Sequence, residues 1–350
     1  ENRPSSTRHH KRRIYTFPSV LRILFLMNAA TLKKRLGFGS AMILILGGLF
    51  YFDFQPQSWK TNGLLVTCVL TALLLVGVLE MRKLVRSAGY DILPITTFIG
   101  ILAMILNTYL FCGIRVEGYL AIKPDIIVEF TRSMEILRLA TIPCLLAFLF
   151  LEQMLRHRTE QAIQHVMASL LTIAYIGLLG VALLTIRLAH GPAIFVAFLL
   201  IVKSADIGAF FVGSAIGRNK LMPTISPKKS WEGLFGGLAF SALAAIGAQW
   251  LIQDGFTDSN VNAPHIMYQA PFYLAPMWMI ALFGATLGLI GQFGDWCESL
   301  LKRSAGVKDS ASLIPEFGGV LDLLDSPLIA APFFPILFYV LQEISPPIPM

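Results

Sequence analysis

GDWCESLLKRSAGVKDSASLIPEFGGVLDLLDS, residues Gly294–Ser326, sits between two strongly hydrophobic segments, 272–293 and 326–343, of a 350-residue chain. Each flank is close to the length of about 20 apolar residues that an α-helix needs to cross a bilayer. A charged stretch held between two such runs decides the fold class. It is the polar end of membrane helices, and the chain reads as an all-α, polytopic integral membrane protein. Acids, bases, hydroxyls and a Gly-Gly pair follow one another here in an order suited to metal-assisted phosphate chemistry. A second polar stretch, SADIGAFFVGSAIGRNKLMPTISPKKSWEG (Ser204–Gly233), supplies more of the same groups.

Composition agrees with the membrane reading. The chain is 55% hydrophobic and 14% charged, against about 25% charged residues in soluble domains. Nine candidate spans emerge, at 37–53, 63–82, 92–112, 136–152, 167–186, 191–212, 233–252, 272–293 and 326–343. Basic residues crowd the segment before the first span and are absent from the loop at 253–271. Read with the positive-inside rule, this predicts a cytoplasmic N-terminus and puts both polar stretches on the cytoplasmic face, with Arg187 and the mixed loop at 113–135 as exceptions. The expected organisation is a basic cytoplasmic tail (1–35), N-terminal membrane helices (36–190) and a catalytic membrane region (191–350). The tail reads as retained rather than as a cleaved signal peptide, and Val20–Leu32 as an interfacial helix too short to span. The net charge of +7 lies beside the spans, which fits contact with anionic lipid and argues against nucleic acid. The four cysteines form no CxxC pair, so neither a disulfide framework nor a zinc site is expected.

Asp295, Glu298, Ser299, Lys302 and Arg303 follow directly from an apolar run, and if the helix continues, Asp295, Ser299, Lys302 and Arg303 share one face through spacings of three, four, seven and eight. Asp322 and Asp325 sit three apart at the entry to the last span. Two carboxylate clusters flanking one loop can hold a hard cation such as Mg²⁺, which takes one or two carboxylates together with substrate phosphates. Lys302, Arg303 and Lys308 would offset phosphate charge. Gly318 and Gly319 let the backbone approach a phosphate closely, or turn back into the membrane. The plainer alternative is a solvated loop whose charges anchor helix ends. Asp206 lies deeper, in an apolar run. It reads either as a group facing a polar cavity or as half of a self-satisfied Lys203–Asp206 pair. In ISPKKSWEG, Pro227 favours a helix start that would aim backbone N–H groups and Ser226 at an anion. A basic loop with an interfacial Trp anchor explains the same residues. None of the six histidines is placed to act as a catalytic base, and a lipid phosphate, already ionised, needs none.

These residues resemble a known family. S-L-L-K-R-x4-K-D from Ser299 to Asp309, followed by P-x-x-G-G-V-L-D-x-x-D-S from Pro315 to Ser326, is similar to the signature of phosphatidate cytidylyltransferases, the CDP-diacylglycerol synthases. The motif D-x-G-A-F-F-x-G at Asp206–Gly213 and S-P-K-K-S-W-E-G at Ser226–Gly233 resemble the family's other block. The resemblance is strong over about 204–326 and much weaker before it. It implies that CTP and phosphatidic acid give CDP-diacylglycerol and pyrophosphate at the face of a lipid bilayer. By resemblance, Asp295 and Asp322 are metal ligands, with Asp325 and Asp309 in support, for Mg²⁺ and with a second cation left open. Lys302, Arg303 and Lys308 bind phosphates, with Ser299 beside them. Ser226, Lys228, Lys229 and Glu232 line the nucleotide or lipid-phosphate pocket, and Asp206 shapes its cavity. The resemblance also suggests a homodimer, for which the residues themselves offer no interface. It further suggests a bacterial inner membrane, with an organelle membrane of the same sidedness as the alternative. Three positions depart from the pattern: Glu316 and Phe317 stand where the family commonly has Gly-His, and Leu323 where it has Arg. Competing readings are a CTP-dependent enzyme acting on a polyprenol or archaeal-type lipid, a transporter, and a non-catalytic scaffold. A transporter should show paired broken spans in two related halves, which this sequence lacks.

Overall fold

The computed structural model describes residues 47–49, 51–53, 63–121, 124–256, 272, 275–308 and 318–344; for 113–121, 124–135, 138 and 253–256 it describes the helical backbone alone. The basic tail, the interfacial helix expected at Val20–Leu32, most of the first expected span, most of the 253–271 loop, Asp309, Glu316 and Phe317 lie outside the described residues.

Among the described residues, seven helical segments are long and apolar enough to cross a membrane. The first, α1 (Leu64–Ser87), has 24 residues, about 36 Å at 1.5 Å per residue, enough for a hydrocarbon core of about 30 Å. Next come α2 (Pro94–Ala121) and α3 (Pro124–Arg156). After them α4 (Ala162–Thr172) runs through a π-helical turn (Ile173–Leu178) into α5 (Leu179–Ile216). The 55 residues from Ala162 to Ile216 would reach about 80 Å if straight. They are broken at Gly191, whose φ of 84° only glycine adopts readily, just before Pro192, which has no N–H to give. The break falls at the first residue of the span expected at 191–212.

A two-stranded antiparallel hairpin follows, β1 (Lys220–Met222) with β2 (Ser226–Ser230). Then come α6 (Trp231–Phe256), α7 (Met277–Ser304), α8 (Val320–Ala330) and, after one short 3₁₀ turn, α9 (Phe334–Ile344). The hairpin corrects the helix start expected at Pro227. Ser226–Ser230 is extended and pairs with β1, and the helix begins at Trp231. Ser230 explains the later start, because its hydroxyl accepts the N–H of Gly233 at 3.1 Å and so does the work of an N-cap.

Helices α5, α6, α7 and α8 form the tightest group. Lipid tails are as apolar as Leu, so nothing hydrophobic drives such helices together. Close backbone approach at small residues does it instead. A Cβ on Gly208 of α5 would lie 2.7 Å from the Gly236 carbonyl oxygen of α6, and one on Gly284 of α7 would lie 2.6 Å from the Ser241 carbonyl of α6. Outside this group, Asp91 ties the α1–α2 turn to the end of α1 by accepting from Arg82 (2.9 Å) and Arg86 (2.7 Å). Burial pushes the Asp91 carboxyl up, but the two guanidinium groups outweigh it and hold it well below the usual carboxylate range. Arg187 and Asp53 form a buried bidentate pair, both bonds 2.6 Å.

This packing predicts opposite outcomes for two glycines. Gly208→Ala puts its methyl against an immovable carbonyl and should destabilise by about 1–3 kcal/mol. Gly247→Ala, which meets nothing within 4 Å, should be neutral or stabilising by up to about 1 kcal/mol through helix propensity. Equilibrium unfolding in mixed micelles compares them.

Candidate active site

The candidate site forms where the end of α7 crosses the start of α8. A Cβ on Gly294 would lie 2.6 Å from the Asp325 carbonyl oxygen, and this intimacy lets short side chains from both helices meet. Carboxylate oxygens of Asp295, Glu298 and Asp325 all lie within 4.8 Å of one another. Glu298 is 1% exposed and Asp325 5%. Glu298 Oε2 accepts from Lys302, whereas its Oε1 is buried without a hydrogen-bond partner. A buried carboxylate oxygen left without a donor is costly unless something positive reaches it.

Three ammonium groups surround these acids. Lys203 Nζ lies 3.4 Å from both Asp206 and Asp325, and Ser326 donates its hydroxyl to Asp206 at 3.3 Å. Lys229, on the hairpin, reaches Asp295 at 2.6 Å and lies over the Trp296 ring, 5.3 Å from its centroid. Lys302 lies 2.9 Å from Glu298 and 2.5 Å from Asp322. Five carboxylates (Asp206, Asp295, Glu298, Asp322, Asp325) thus face three ammonium groups. Their formal deficit of two charges equals one divalent cation. The oxygen donors, the deficit and the unpartnered Glu298 oxygen fit a hard cation such as Mg²⁺, held by Asp295, Glu298 and Asp325.

The residues singled out from the sequence divide into groups. Asp295, Ser299, Lys302, Asp322, Asp325, Asp206 and Lys229 gather here, with Ser299 donating to Asp295 at 3.3 Å. Asp322 stands one step from the carboxylate trio: it pairs with Lys302 and accepts the Gly319 N–H at 2.8 Å. Glu232 binds the backbone and side chain of Asn219, which closes the hairpin onto α6. Arg303 is exposed and donates to the Ile225 carbonyl at 3.3 Å, which ties the end of α7 to the turn of the hairpin. Ser226 begins β2, and Lys228 and Lys308 are exposed beside the site. Two residues of the site were given no role in the sequence reading. Glu298 carried a signal, lying three residues after Asp295 and four before Lys302. Lys203 was visible only as a local partner of Asp206.

Comparison with known proteins bears on the same region. The sequence model of the Cytidylyltransferase family matches residues 33–341. The chain belongs to that family. Among curated proteins, it is 39% identical over 151 residues to a phosphatidate cytidylyltransferase of Haemophilus influenzae, covering 43% of this chain and 47% of that one. It is 36% identical over 168 residues to the protein of that name in Staphylococcus epidermidis (48% and 57%), and 37% over 153 residues to that of Pseudomonas aeruginosa (43% and 49%). The matched stretch spans about half the length of these relatives.

In a family member built this way, Lys302 and the adjacent Arg303 should behave differently. Lys302→Met leaves Glu298 and Asp322 without their shared cation and should destabilise by about 3–5 kcal/mol. Arg303→Met, at an exposed position, should stay within about 0.5 kcal/mol of the parent. Equal unfolding midpoints for the two variants would contradict the assignment of charge balance to Lys302.

Proposed function

We propose that the protein is a phosphatidate cytidylyltransferase, converting CTP and phosphatidic acid into CDP-diacylglycerol and pyrophosphate. The observation that carries this is the trio of Asp295, Glu298 and Asp325, ringed by Lys203, Lys229 and Lys302, in a chain of the cytidylyltransferase family. A non-bridging oxygen of the lipid phosphate attacks the α-phosphorus of CTP. The bond from that phosphorus to the α–β bridging oxygen breaks, and pyrophosphate leaves with the electron pair. The phosphate monoester is ionised at neutral pH, so the site needs no general base, in keeping with the absence of histidine from its residues.

A divalent cation bound by the trio would supply Lewis-acid stabilisation of the transferring phosphoryl group. Lys229, Lys302 and Arg303 would neutralise the growing charge on pyrophosphate, with exposed Lys228 and Lys308 drawing CTP in. Asp309, Ser226 and Glu232 belong to the same proposal as flanking groups of the pocket. The positive-inside pattern supports a cytoplasmic N-terminus, nine spans, and a site that opens to the cytoplasm of a bacterial inner membrane. A homodimer in that membrane is part of this reading. The parts are then a basic tail (1–35), supporting helices (36–190) and a catalytic region (191–350).

The test is CDP-diacylglycerol formation by the purified protein in detergent from labelled CTP, phosphatidic acid and Mg²⁺. The parent should form product only with a divalent cation, and Asp295→Ala should lose at least about 100-fold, matching several kcal/mol of transition-state stabilisation. A well-folded parent that yields nothing across several phosphatidic acids and metals would sink the proposal. Product from a polyprenyl or archaeal-type lipid instead would support the second reading.

A further inference from the structure

The start of α8 is the place where, on sequence grounds, Gly318 and Gly319 could bring backbone N–H groups to a phosphate. The N–H groups of Gly319, Val320 and Leu321 are already taken. Gly319 donates to the Asp322 side chain at 2.8 Å. Val320 and Leu321 donate to the two carboxylate oxygens of Glu80, at 2.9 and 2.8 Å. Glu80 sits on α1, 240 residues away in sequence from Val320, and is 0% exposed. An anionic carboxylate at a helix N-terminus meets both the free N–H groups and the positive end of the helix dipole.

Two bonds to consecutive amides do more than satisfy donors. One bond fixes a point, whereas two fix a direction, so Glu80 sets both the height of α8 and its rotation about its own axis. Asp325 follows Leu321 by four residues, one helical turn, on the same face. A turn of α8 would therefore carry Asp325 away from Asp295 and Glu298, and Asp322 away from Lys302. The fold contains a matched counterpart. Glu152 of α3, 8% exposed, accepts the N–H groups of Ile95 (3.2 Å) and Thr96 (2.7 Å) at the start of α2, a helix none of whose described side chains meets the residues of the site.

We propose that Glu80 is a positioning residue of the nucleotidyl-transfer site, which holds Asp322 and Asp325 in register with the residues of α7 through the start of α8. This rests on the function proposed above. Glu152 holds its helix by the same chemistry with no consequence for the site, and so provides the control that separates positioning from mere anchoring.

The experiment uses the full chain in detergent, with Glu80→Gln, Glu80→Asp and Glu152→Gln beside the parent. Gln keeps the shape of Glu but turns one acceptor oxygen into an NH₂ group facing an N–H. Amide hydrogen exchange over 318–325 is read with and without Mg²⁺, together with the Mg²⁺ concentration giving half-maximal CDP-diacylglycerol formation. In Glu80→Gln, exchange at Val320 and Leu321 should quicken, and half-saturating Mg²⁺ should rise about tenfold, the usual effect of losing a group that orients ligands. Glu80→Asp should fall between it and the parent, and carries the test if the Gln variant fails to fold. Glu152→Gln should quicken exchange at Ile95 and Thr96 and leave half-saturating Mg²⁺ unchanged. Parent-like Mg²⁺ dependence in folded Glu80 variants, or the same shift in Glu152→Gln, overturns the proposal. If the parent makes no CDP-diacylglycerol, the functional reading fails separately. Glu80 is then judged by exchange alone: Mg²⁺ should protect 320–325 in the parent and not in Glu80→Gln, and equal protection in both overturns it.

Discussion

Everything at this site follows from burying more negative than positive charge where membrane helices meet. Removing a carboxylate from water costs several kcal/mol even after relaxation, and only well-placed partners repay it. The structure meets that demand by sharing. Lys203 bridges Asp206 of its own helix and Asp325 of α8, while Lys302 bridges Glu298 of its own helix and Asp322 of α8. Lys229 brings the hairpin down onto Asp295. Each ammonium thereby holds two elements together, and the remaining negative charge concentrates around Asp295, Glu298 and Asp325.

Such sharing requires backbones close enough for short side chains to meet. Glycines at the α5–α6, α6–α7 and α7–α8 crossings supply that closeness. A second requirement comes from the helix ends, whose first N–H groups have no partner within the helix and cannot be left bare in a low-dielectric setting. Two buried glutamates answer it, Glu152 for α2 and Glu80 for α8. Charge balance, close packing and helix capping are thus met by three separate sets of residues.

Much of this was legible in the sequence. Runs of apolar residues marked the helices, and the helix breaks at Gly191 and Pro192, where an expected span begins. Asp295 and Asp325 stood out as acids at the ends of successive spans. Glu298 stood beside Asp295 in the same acidic cluster but was given no role, because a glutamate four residues before a lysine also fits an ordinary pair on a helix surface. Glu80 was invisible for a stronger reason. Its partners are backbone amides 240 residues away, and backbone amides leave no mark in a sequence. Pro227 misled because the rule that favours proline in the first turn of a helix also admits it to the edge of a short hairpin. The local rule could not see that β1 lay waiting to pair.

The distribution of charge among the helices also sets an order of manufacture. Helix α5 carries Lys203 with Asp206, and α7 carries Glu298 with Lys302, so each brings its own counter-ion as it leaves the ribosome. Helix α8 has two acids and no base. Its ammonium partners belong to segments synthesised earlier, and so does the carboxylate that receives its first amides. Helix α8 therefore arrives as a guest: it settles into a seat that the preceding chain has already prepared.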